Sequence, residues 1–160
     1  MLQGFPPVCD DRATVLVLGS MPGEASLRAQ RYYAHPHNRF WPIMGELVGA
    51  SPALPYDERL LQLRHAGIAL WDVLAHCERD GSLDSAIRDD TAQANDFAGF
   101  LARHRLVHTV LFNGAKAESA WRRHVGPGLA GTALHYRRLP SSSPTNAGTA
   151  PAAKLGPPAG

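Results

Sequence analysis

Four short segments of the sequence carry the groups that could do chemistry. They are GSMPG at residues 19–23, YYAHPHNRFW at residues 32–41, NGAK at residues 113–116 and PSSSPTN at residues 140–146. Gly, Ser, Pro and Asn dominate three of them, which suits a backbone that must approach a ligand closely or offer it N–H groups. The run at 32–41 instead gathers aromatic rings and histidines with a proline, an asparagine and an arginine, too rich for a simple loop and too polar for a core. These types favour contacts to an anion or to a flat base.

Several familiar kinds of site are disfavoured by the spacing of these residues. The turn at 19–23 contains neither Gly-Lys-Ser/Thr nor G-x-G-x-x-G, so it matches neither a phosphate loop nor a dinucleotide fingerprint. His35 and His37 have no carboxylate or cysteine nearby, whereas zinc needs three or four convergent ligands, and we predict no metal. The three serines at 141–143 would need an adjacent base to act as nucleophiles, and they suit phosphate contacts more simply.

Composition is that of an ordinary globular protein. A chain of 160 residues with 44% hydrophobic and 19% charged residues predicts one domain, and its apolar runs are too short to cross a bilayer. The N-terminus lacks the pattern of a secretory signal, so we expect a cytoplasmic protein. Cys9 and Cys77 are expected to be reduced thiols. A net charge of +2 permits a nucleic-acid partner without demanding one.

The elements that must position the four segments alternate between strands and helices. Apolar runs predict strands at 13–18, at 68–73, before Asn113 and Gly114, and at 132–140. Amphipathic patterns predict helices at 40–50, 56–67, 89–105 and 116–125. Because crossovers between parallel strands are right-handed, this order predicts an α/β fold, a three-layer α/β/α sandwich with a central four-stranded parallel sheet.

Ligands of such sheets bind at the carboxyl ends of the strands. The segments in that position are GSMPG, NGAK, PSSSPTN and DVLAHCERDGS at 72–82, although no single residue of 72–82 is assigned a role. We therefore expect a site at this edge of a domain spanning residues 1–147. The Ala/Gly/Pro-rich residues 148–160 have little to bury and are expected to form a loosely packed or disordered tail.

The motifs GSMPG, YYAHPHNRFW, LFNG and LPSSSPTNA, in this order, resemble the uracil-DNA glycosylase superfamily, and most closely its hypoxanthine-DNA (deoxyinosine) glycosylase branch. The resemblance covers Val15 to Ala147. It implies a monofunctional DNA repair glycosylase that excises a deaminated base without a cofactor. The implied partner is double-stranded or single-stranded DNA carrying a damaged base, bound by a monomer with no membrane association.

The resemblance also implies roles for individual residues. Asn38 is similar to the leading catalytic asparagine of the hypoxanthine branch, and Tyr33 to the aromatic residue that stacks on the extruded base. Asn113 resembles the strand-end asparagine that reads a base edge. The turn resembles a pocket-lining loop formed by Gly19, Ser20, Met21, Pro22 and Gly23. The implied DNA-binding residues are Arg39, Pro140, Ser141, Ser142, Ser143, Pro144, Thr145 and Asn146.

Two alternatives stay open. The motif AHPxNRFW is also similar to mismatch-specific uracil/thymine glycosylases, but Met21 stands where those enzymes and uracil glycosylases carry Asn or Asp. Methionine cannot activate water, and Leu139 replaces a histidine usual in uracil glycosylases. From another class, the chain could be a catalytically silent DNA- or nucleotide-binding module. The arginines at 122–123 and 137–138 could form a phosphate-facing stripe or an ordinary solvated face.

Overall fold

The structure, a computed structural model, describes residues 1–129 and 133–144. The predicted tail at 148–160 and two of the predicted DNA contacts, Thr145 and Asn146, lie outside the described residues. The prediction of one domain over 1–147 therefore stays a prediction.

Seven strands and five α-helices form within the described residues. The strands are β1 Leu2–Gln3, β2 Val15–Gly19, β3 Ile68–Asp72, β4 Leu74–Arg79, β5 Ile87–Ala94, β6 Thr109–Asn113 and β7 His135–Leu139. The helices are α1 Glu24–Ala29, α2 Phe40–Val48, α3 Tyr56–His65, α4 Phe97–Arg103 and α5 Ala115–His124, with short 3-10 turns at Asp84–Ala86 and Gly126–Leu129. None of these helices has the length and apolar character needed to cross a membrane.

Strands β3, β2, β6 and β7 form a four-stranded parallel sheet in that order. Gly19 pairs with Asp72, and Asn113 pairs with Leu139, so the carboxyl ends of neighbouring strands stop at the same level. The predicted parallel sheet is confirmed, and the residues that follow it share one edge.

The two faces of this sheet bury different helices. Val17 and Leu70 point into a cluster with α2 and α3, where Phe40 and Leu63 are buried. Their neighbours Leu16, Leu18, Ala69 and Trp71 point the other way, towards α4 and α5. Burial stabilises the fold by about 1.5–3 kcal/mol for each large apolar side chain. This alternation along the strands confirms the three-layer arrangement.

The helix predicted at 89–105 is wrong over its first half. Ile87–Ala94 forms strand β5, and helix α4 begins only at Phe97, after Asp96 accepts a hydrogen bond from the N–H of Gly99 at 2.9 Å. Strand β5 pairs antiparallel with β4, which follows β3 after a single residue. The polar stretch is a strand because β4 supplies its hydrogen-bond partners, a long-range contact that local helix propensity does not report.

A second sheet therefore stands beside the parallel one. It contains three strands in the order β1, β4, β5, and both pairs are antiparallel. The connection between β4 and β5, at residues 80–86, turns back towards the edge of the parallel sheet, where Ser82 Oγ accepts a hydrogen bond from the N–H of Glu24 at 2.8 Å. The sequence-based topology did not include this hairpin, which contributes directly to the site.

Candidate active site

A cavity of about 460 Å3 lies at the carboxyl edge of the parallel sheet. It collects nearly all the predicted site residues that the structure describes, namely Gly19, Ser20, Met21, Pro22, Gly23, Tyr33, Asn38, Asn113, Ser141, Ser142, Ser143 and Pro144. Arg39 and Pro140 lie outside its lining. Residues that had no predicted role also contribute, among them His35, Asp72, Ser82, Leu83 and Asp84.

Gly19 ends the central strand β2 and lets two side chains approach it closely. A Cβ atom at this position would lie 2.5 Å from Asp72 Oδ1 and 3.1 Å from the Tyr33 hydroxyl. Real Cβ atoms do not come so close to an oxygen, so a larger residue would displace the carboxyl group. Glycine is required here because the Asp72 and Tyr33 side chains meet where its side chain would be.

The turn after Gly19 divides between cavity and core. Ser20 is buried and donates a hydrogen bond to Asp84 Oδ1 at 2.5 Å, which ties the turn to the β4–β5 connection. Met21 is 6% exposed and packs in the cluster under α4 and α5. A buried thioether offers neither a proton acceptor nor a strong hydrogen bond to water, so this turn does not supply a water-activating side chain.

Tyr33 sits in a conformation that few residues other than glycine adopt. Its φ is 54°, and its ring stacks on Phe40 with centroids 4.1 Å apart. One face of the ring is therefore occupied, and only the opposite face could serve as a platform for a base. The neighbouring Tyr32 is anchored by its hydroxyl, which donates to the carbonyl of Pro6 at 2.8 Å, and by its own carbonyl, which accepts from Trp41 Nε1 at 3.0 Å.

Asn38 is fixed at the start of helix α2. Its Oδ1 accepts a hydrogen bond at 2.9 Å from the N–H of Phe40, the first residue of the helix. The N–H of Asn38 in turn donates to the carbonyl of His35 at 3.0 Å. An amide oxygen has two acceptor positions, so one remains, together with the NH2 group. The structure thus holds the Asn38 amide in one orientation beside the cavity.

Asn113 is occupied by the loop that follows β7. Its Oδ1 accepts from the N–H of Ser142 at 2.8 Å, and its Nδ2 donates to Ser142 Oγ at 2.9 Å. Gly114, with φ of 100°, lets the chain turn where a Cβ would lie 3.1 Å from Ser141 Cβ. The predicted base-reading amide therefore also fastens the serine loop to the sheet.

The serine loop is joined to the 32–41 run as well. The N–H of Arg39 donates to the carbonyl of Ser142 at 3.0 Å. Ser142 is 4% exposed and thus belongs to the framework more than to the surface. Two of the predicted DNA-contacting segments are consequently held as one unit along the rim of the cavity.

Asp72 is the main residue that sequence reasoning missed. It ends strand β3, lines the cavity and is 3% exposed. Burial, then the nearby carboxylate of Asp84, raise the pKa of Asp72 to about 7, while Arg79 opposes the rise. Its position directly after an apolar strand, at the predicted ligand edge, was the signal that could have identified it.

The Tyr33 hydroxyl is buried beside Asp72, and no described residue meets the geometry of a hydrogen bond to it, because the nearby Asn113 amide is directed to Ser142. Burial, then the charge of Asp72, raise the pKa of Tyr33, and the proximity of the Asn113 amide opposes the rise. The hydroxyl therefore remains protonated at physiological pH. The Asp72 carboxyl and the Tyr33 hydroxyl thus lie together beside Gly19, and Asp72 Oδ2 and the hydroxyl are both buried without a hydrogen-bond partner among the described residues.

The paired histidines stay at the surface. The rings of His35 and His37 are 5.5 Å apart, and His35 Nδ1 accepts a hydrogen bond from the N–H of His37 at 3.0 Å. Across residues 1–129 and 133–144, no group of three or more His, Cys, Asp or Glu side chains has the arrangement of a metal site. His35 nevertheless lines the cavity, where the sequence had suggested no role for it.

The arginines of α5 and β7 are largely engaged in ion pairs. Arg122 and Arg138 both contact Glu118, at 3.6 Å and 3.5 Å, and Arg123 contacts Asp89 at 3.6 Å. Such pairs favour the ordinary solvated face over a phosphate-facing stripe.

Comparison with known proteins identifies the family. The sequence matches the model of the uracil DNA glycosylase superfamily over residues 6–156. The chain belongs to this superfamily. It is 38% identical over 145 residues to the hypoxanthine DNA glycosylase of Methanosarcina acetivorans, which covers 90% of this chain and 87% of that relative. It is 40% identical over 116 residues to the hypoxanthine DNA glycosylase of Methanosarcina barkeri, which covers 72% of each chain.

A solved structure agrees with the superfamily assignment. The solution NMR structure of a proposed uracil DNA glycosylase from Methanosarcina acetivorans superposes with a TM-score of 0.75 at 38% identity, covering 90% of this chain and 86% of that one. The predicted family and fold are confirmed.

Proposed function

We propose that this member of the superfamily is a monofunctional DNA N-glycosylase that removes hypoxanthine from deoxyinosine and leaves an abasic site. The observation that carries the proposal is the 38–40% identity, over most of the chain, to two relatives named hypoxanthine DNA glycosylase. The cavity supports it independently, because its volume of about 460 Å3 lies in the range of pockets for small flat ligands.

The reaction needs the base outside the helix. Rotating a nucleotide out of the stack costs a few kcal/mol, least for a damaged or mispaired base, and stacking with hydrogen bonds offsets that cost. Tyr33 provides the ring for stacking, with its other face already packed on Phe40. The glycines of the 19–23 turn bring backbone to the cavity wall, and Asn113 supplies a fixed amide.

Asn38 is proposed to position the attacking water. In hydrolysis the bond between C1′ and the base nitrogen breaks and its electron pair stays with the base, water adds to C1′ and loses a proton to solvent, and the released base takes up a proton. An amide is a weak proton acceptor, so Asn38 orients the water without removing its proton at the outset. Hypoxanthine can carry developing charge on its ring carbonyl, which makes so modest a group sufficient.

The mismatch-specific uracil/thymine alternative is not favoured. Its motif needs a polar residue at position 21, and the thioether of Met21, although it lines the cavity, offers no proton acceptor to a water molecule. A silent binding module is distinguished by experiment, since it would bind damaged DNA without forming abasic sites.

The DNA contacts are proposed to involve Arg39 and residues 140–144, using backbone N–H groups and hydroxyls for phosphates, together with the predicted contacts Thr145 and Asn146, which lie outside the described residues. Double-stranded or single-stranded DNA, a monomeric state and a cytoplasmic location are part of the same proposal.

The test is a panel of labelled oligonucleotides carrying inosine, uracil or a thymine mismatch, with alkaline cleavage of abasic sites under single-turnover conditions. We expect inosine to be processed fastest. Absence of abasic sites on every substrate would support the binding module, and preference for mismatched uracil or thymine would support the alternative enzyme.

The same assay tests Asn38. We expect Asn38→Ala to lower the rate by about a hundredfold or more while DNA binding, followed by fluorescence anisotropy, is kept. Because Asn38 Oδ1 also accepts a hydrogen bond from the N–H of Phe40, its loss destabilises the fold by about 0.5–1.5 kcal/mol. Asn38→Ser is the matched control, since serine retains a hydrogen-bonding oxygen but not the amide. Full activity of Asn38→Ser would refute the proposed role.

A further inference from the structure

A second cavity, of about 340 Å3, adjoins the candidate active site. The two cavities share part of their walls, which both include Tyr32, Tyr33, His35 and Asn38. The rest of the second cavity is formed by the end of α1 and by residues of α2, α3 and the segment between them. A group bound in the second cavity would therefore lie beside the residues proposed to act on the damaged nucleotide.

Two guanidinium groups meet in this cavity around a single aromatic ring. Arg31 lies over the Tyr56 ring, 5.3 Å from its centroid, and Arg59 lies 6.0 Å from the same centroid. Arg59 also lies over Trp41 at 5.5 Å. All four side chains line the cavity. The faces of the rings attract both cations, and this attraction gathers two like charges in a small space.

These two charges are not balanced by carboxylates. Other basic side chains of the described residues form ion pairs, namely Arg12, Arg88, Lys116, Arg122, Arg123 and Arg138. Asp57 and Glu58 begin α3 next to Tyr56, yet within the described chain neither forms an ion pair with Arg31 or Arg59. Like charges near one ring repel each other, and an anion between them would relieve that repulsion.

Both arginines keep donors for such an anion. Arg59 Nε donates to the carbonyl of Leu54 at 2.8 Å and Nη2 donates to the carbonyl of Pro52 at 3.2 Å, which fixes the plane of the guanidinium. A guanidinium has five N–H donors, so three remain on Arg59. The Arg31 guanidinium makes no hydrogen bond to the described residues. The planar fork of an arginine matches the paired oxygens of a phosphate.

The ring between the arginines is tied to the segment that carries Asn38. The Tyr56 hydroxyl accepts a hydrogen bond from the N–H of Tyr32 at 2.9 Å. The ring of Tyr33 follows directly and lines both cavities. The position of the two cations is therefore fixed relative to the stacking ring and the Asn38 amide.

We propose that this second cavity binds a phosphate group of the DNA strand next to the damaged nucleotide, through Arg31 and Arg59. The inference rests on the proposed function, because it gives the backbone that flanks the lesion a place beside the cavity for the base. Phosphates follow one another about every 3.4 Å along the axis of one strand of a duplex. A nucleotide held in the first cavity thus brings a neighbouring phosphate to the second.

The first experiment measures the salt dependence of binding to a duplex that contains inosine, by fluorescence anisotropy from about 50 mM to about 200 mM salt. We expect Arg31→Gln to weaken binding about tenfold at the lowest salt, and the slope of log K against log salt concentration to become shallower by about one. Arg59→Gln should act in the same direction. Arg122→Gln is the matched control, because it removes the same charge from a residue paired with Glu118, and its slope should equal that of the wild type.

Thermal unfolding accompanies each variant. Arg59→Gln also removes hydrogen bonds to two carbonyls, whereas Arg31→Gln removes none among the described residues, so Arg31→Gln carries the test if Arg59→Gln is unstable. Both arginines contact the backbone and not the base in this proposal. The single-turnover excision rate at saturating enzyme should therefore stay within about threefold of the wild type in Arg31→Gln.

The second experiment replaces single phosphates on either side of the inosine by neutral methylphosphonates. One replacement should weaken wild-type binding by about the same factor as Arg31→Gln. The same replacement should have little further effect on Arg31→Gln, because the partner of that phosphate is already missing.

Unchanged salt slopes in Arg31→Gln and Arg59→Gln would overturn the inference, as would additive effects of Arg31→Gln and every methylphosphonate. An NMR titration with inorganic phosphate that shifts the Arg31 signals, while Arg31→Gln leaves the DNA slope unchanged, would assign the cavity to a free anion and overturn it too. A wild type that forms no abasic sites would refute the proposed function alone, since the salt and methylphosphonate comparisons measure binding and still decide the phosphate site.

Discussion

Asn113 and Asp72 occupy equivalent places on either side of the central strand β2, yet their side chains differ in how far their hydrogen-bonding capacity is used. Each is the last residue of a strand that pairs with β2, and each lines the cavity. The Asn113 amide uses its oxygen and its nitrogen on Ser142. In the Asp72 carboxyl, Oδ2 is buried and has no hydrogen-bond partner among the described residues.

The difference distinguishes a side chain that supports a loop from one whose hydrogen-bonding capacity is partly unused. A polar group bonded twice to a neighbouring loop fixes that loop and has limited capacity left for a ligand. A buried polar group without a partner destabilises the free protein, and its retention is explained when a ligand completes it. Sequence resemblance gave the reading role to Asn113, whereas the geometry adds Asp72 as the less committed of the two.

The largest effect is expected for the Asp72 carboxyl, and it is tested by measuring how the free energy of unfolding depends on pH. Between its ordinary pKa of 3.8 and its folded pKa of about 7, this carboxyl keeps a proton that the unfolded chain releases, so the free energy of unfolding falls as the pH rises through that range. Wild-type stability should therefore fall by on the order of 4 kcal/mol between about pH 4 and about pH 7. Asp72→Asn should abolish this fall and be more stable than the wild type above pH 7, as measured by urea unfolding.

Asp89 provides the control with the opposite sign. It is paired with Lys116 at 2.7 Å, and this hydrogen bond lowers the pKa of Asp89. Its contribution is present above its ordinary pKa and is lost as the pH falls, so Asp89→Asn should be less stable than the wild type at neutral pH. Identical pH profiles for Asp72→Asn and the wild type would mean that Asp72 is solvated, and the contrast with Asn113 would disappear.

The scaffold side of the comparison predicts a smaller effect on stability. Asn113→Ala leaves the N–H and hydroxyl of the buried Ser142 without their partner, and it should lower the free energy of unfolding by about 1–3 kcal/mol. Unlike the change at Asp72, this loss should be independent of pH from about 5 to about 8, because no titrating group is removed. Thermal unfolding at several pH values measures the size of this loss and its pH dependence. A loss that varied with pH, as expected for Asp72, would contradict the prediction for Asn113→Ala.

The smallest effect is expected at the two neighbouring tyrosines. Tyr33→Phe removes a buried hydroxyl that has no partner and should change stability by less than about 1 kcal/mol, in either direction. Tyr32→Phe removes a hydroxyl bonded to the carbonyl of Pro6 and should destabilise the fold by about 0.5–1.5 kcal/mol. Equal losses from the two changes, measured by urea unfolding, would show that the Tyr33 hydroxyl is satisfied in solution.

Much of the parallel sheet could be predicted because its signals are local. The apolar run ending at Gly19 and the one ending at Asn113 are short, buried and followed by turn residues, so the strands and their shared edge follow from the pattern. The chemistry at that edge was harder to assign, because a side chain's role depends on whether its hydrogen bonds are already used. The bonds from Asn113 to Ser142 join residues 29 positions apart and leave no trace in local spacing.

The antiparallel hairpin escaped prediction for a related reason. Strand β5 reads IRDDTAQA, a polar stretch without clear alternation, and it is held by pairing with β4 and by contacts from Lys116 to Asp89. Without the hairpin there was no reason to place Asp84 near Asp72, so nothing in the sequence indicated that two acidic residues meet at the end of β3. Because the pairing of β4 with β5 was not predicted, the carboxylate of Asp84, which helps to raise the pKa of Asp72, was not expected at the site.

The β4–β5 hairpin belongs to neither face of the parallel sheet, yet it carries both Asp84 and Arg79. Changes in the length or charge of this hairpin would therefore alter the charge beside Asp72 and one part of the cavity wall, while Tyr33 and Asn38 lie on a separate segment. A segment outside the four sequence motifs thus helps to set both the shape and the electrostatics of the cavity.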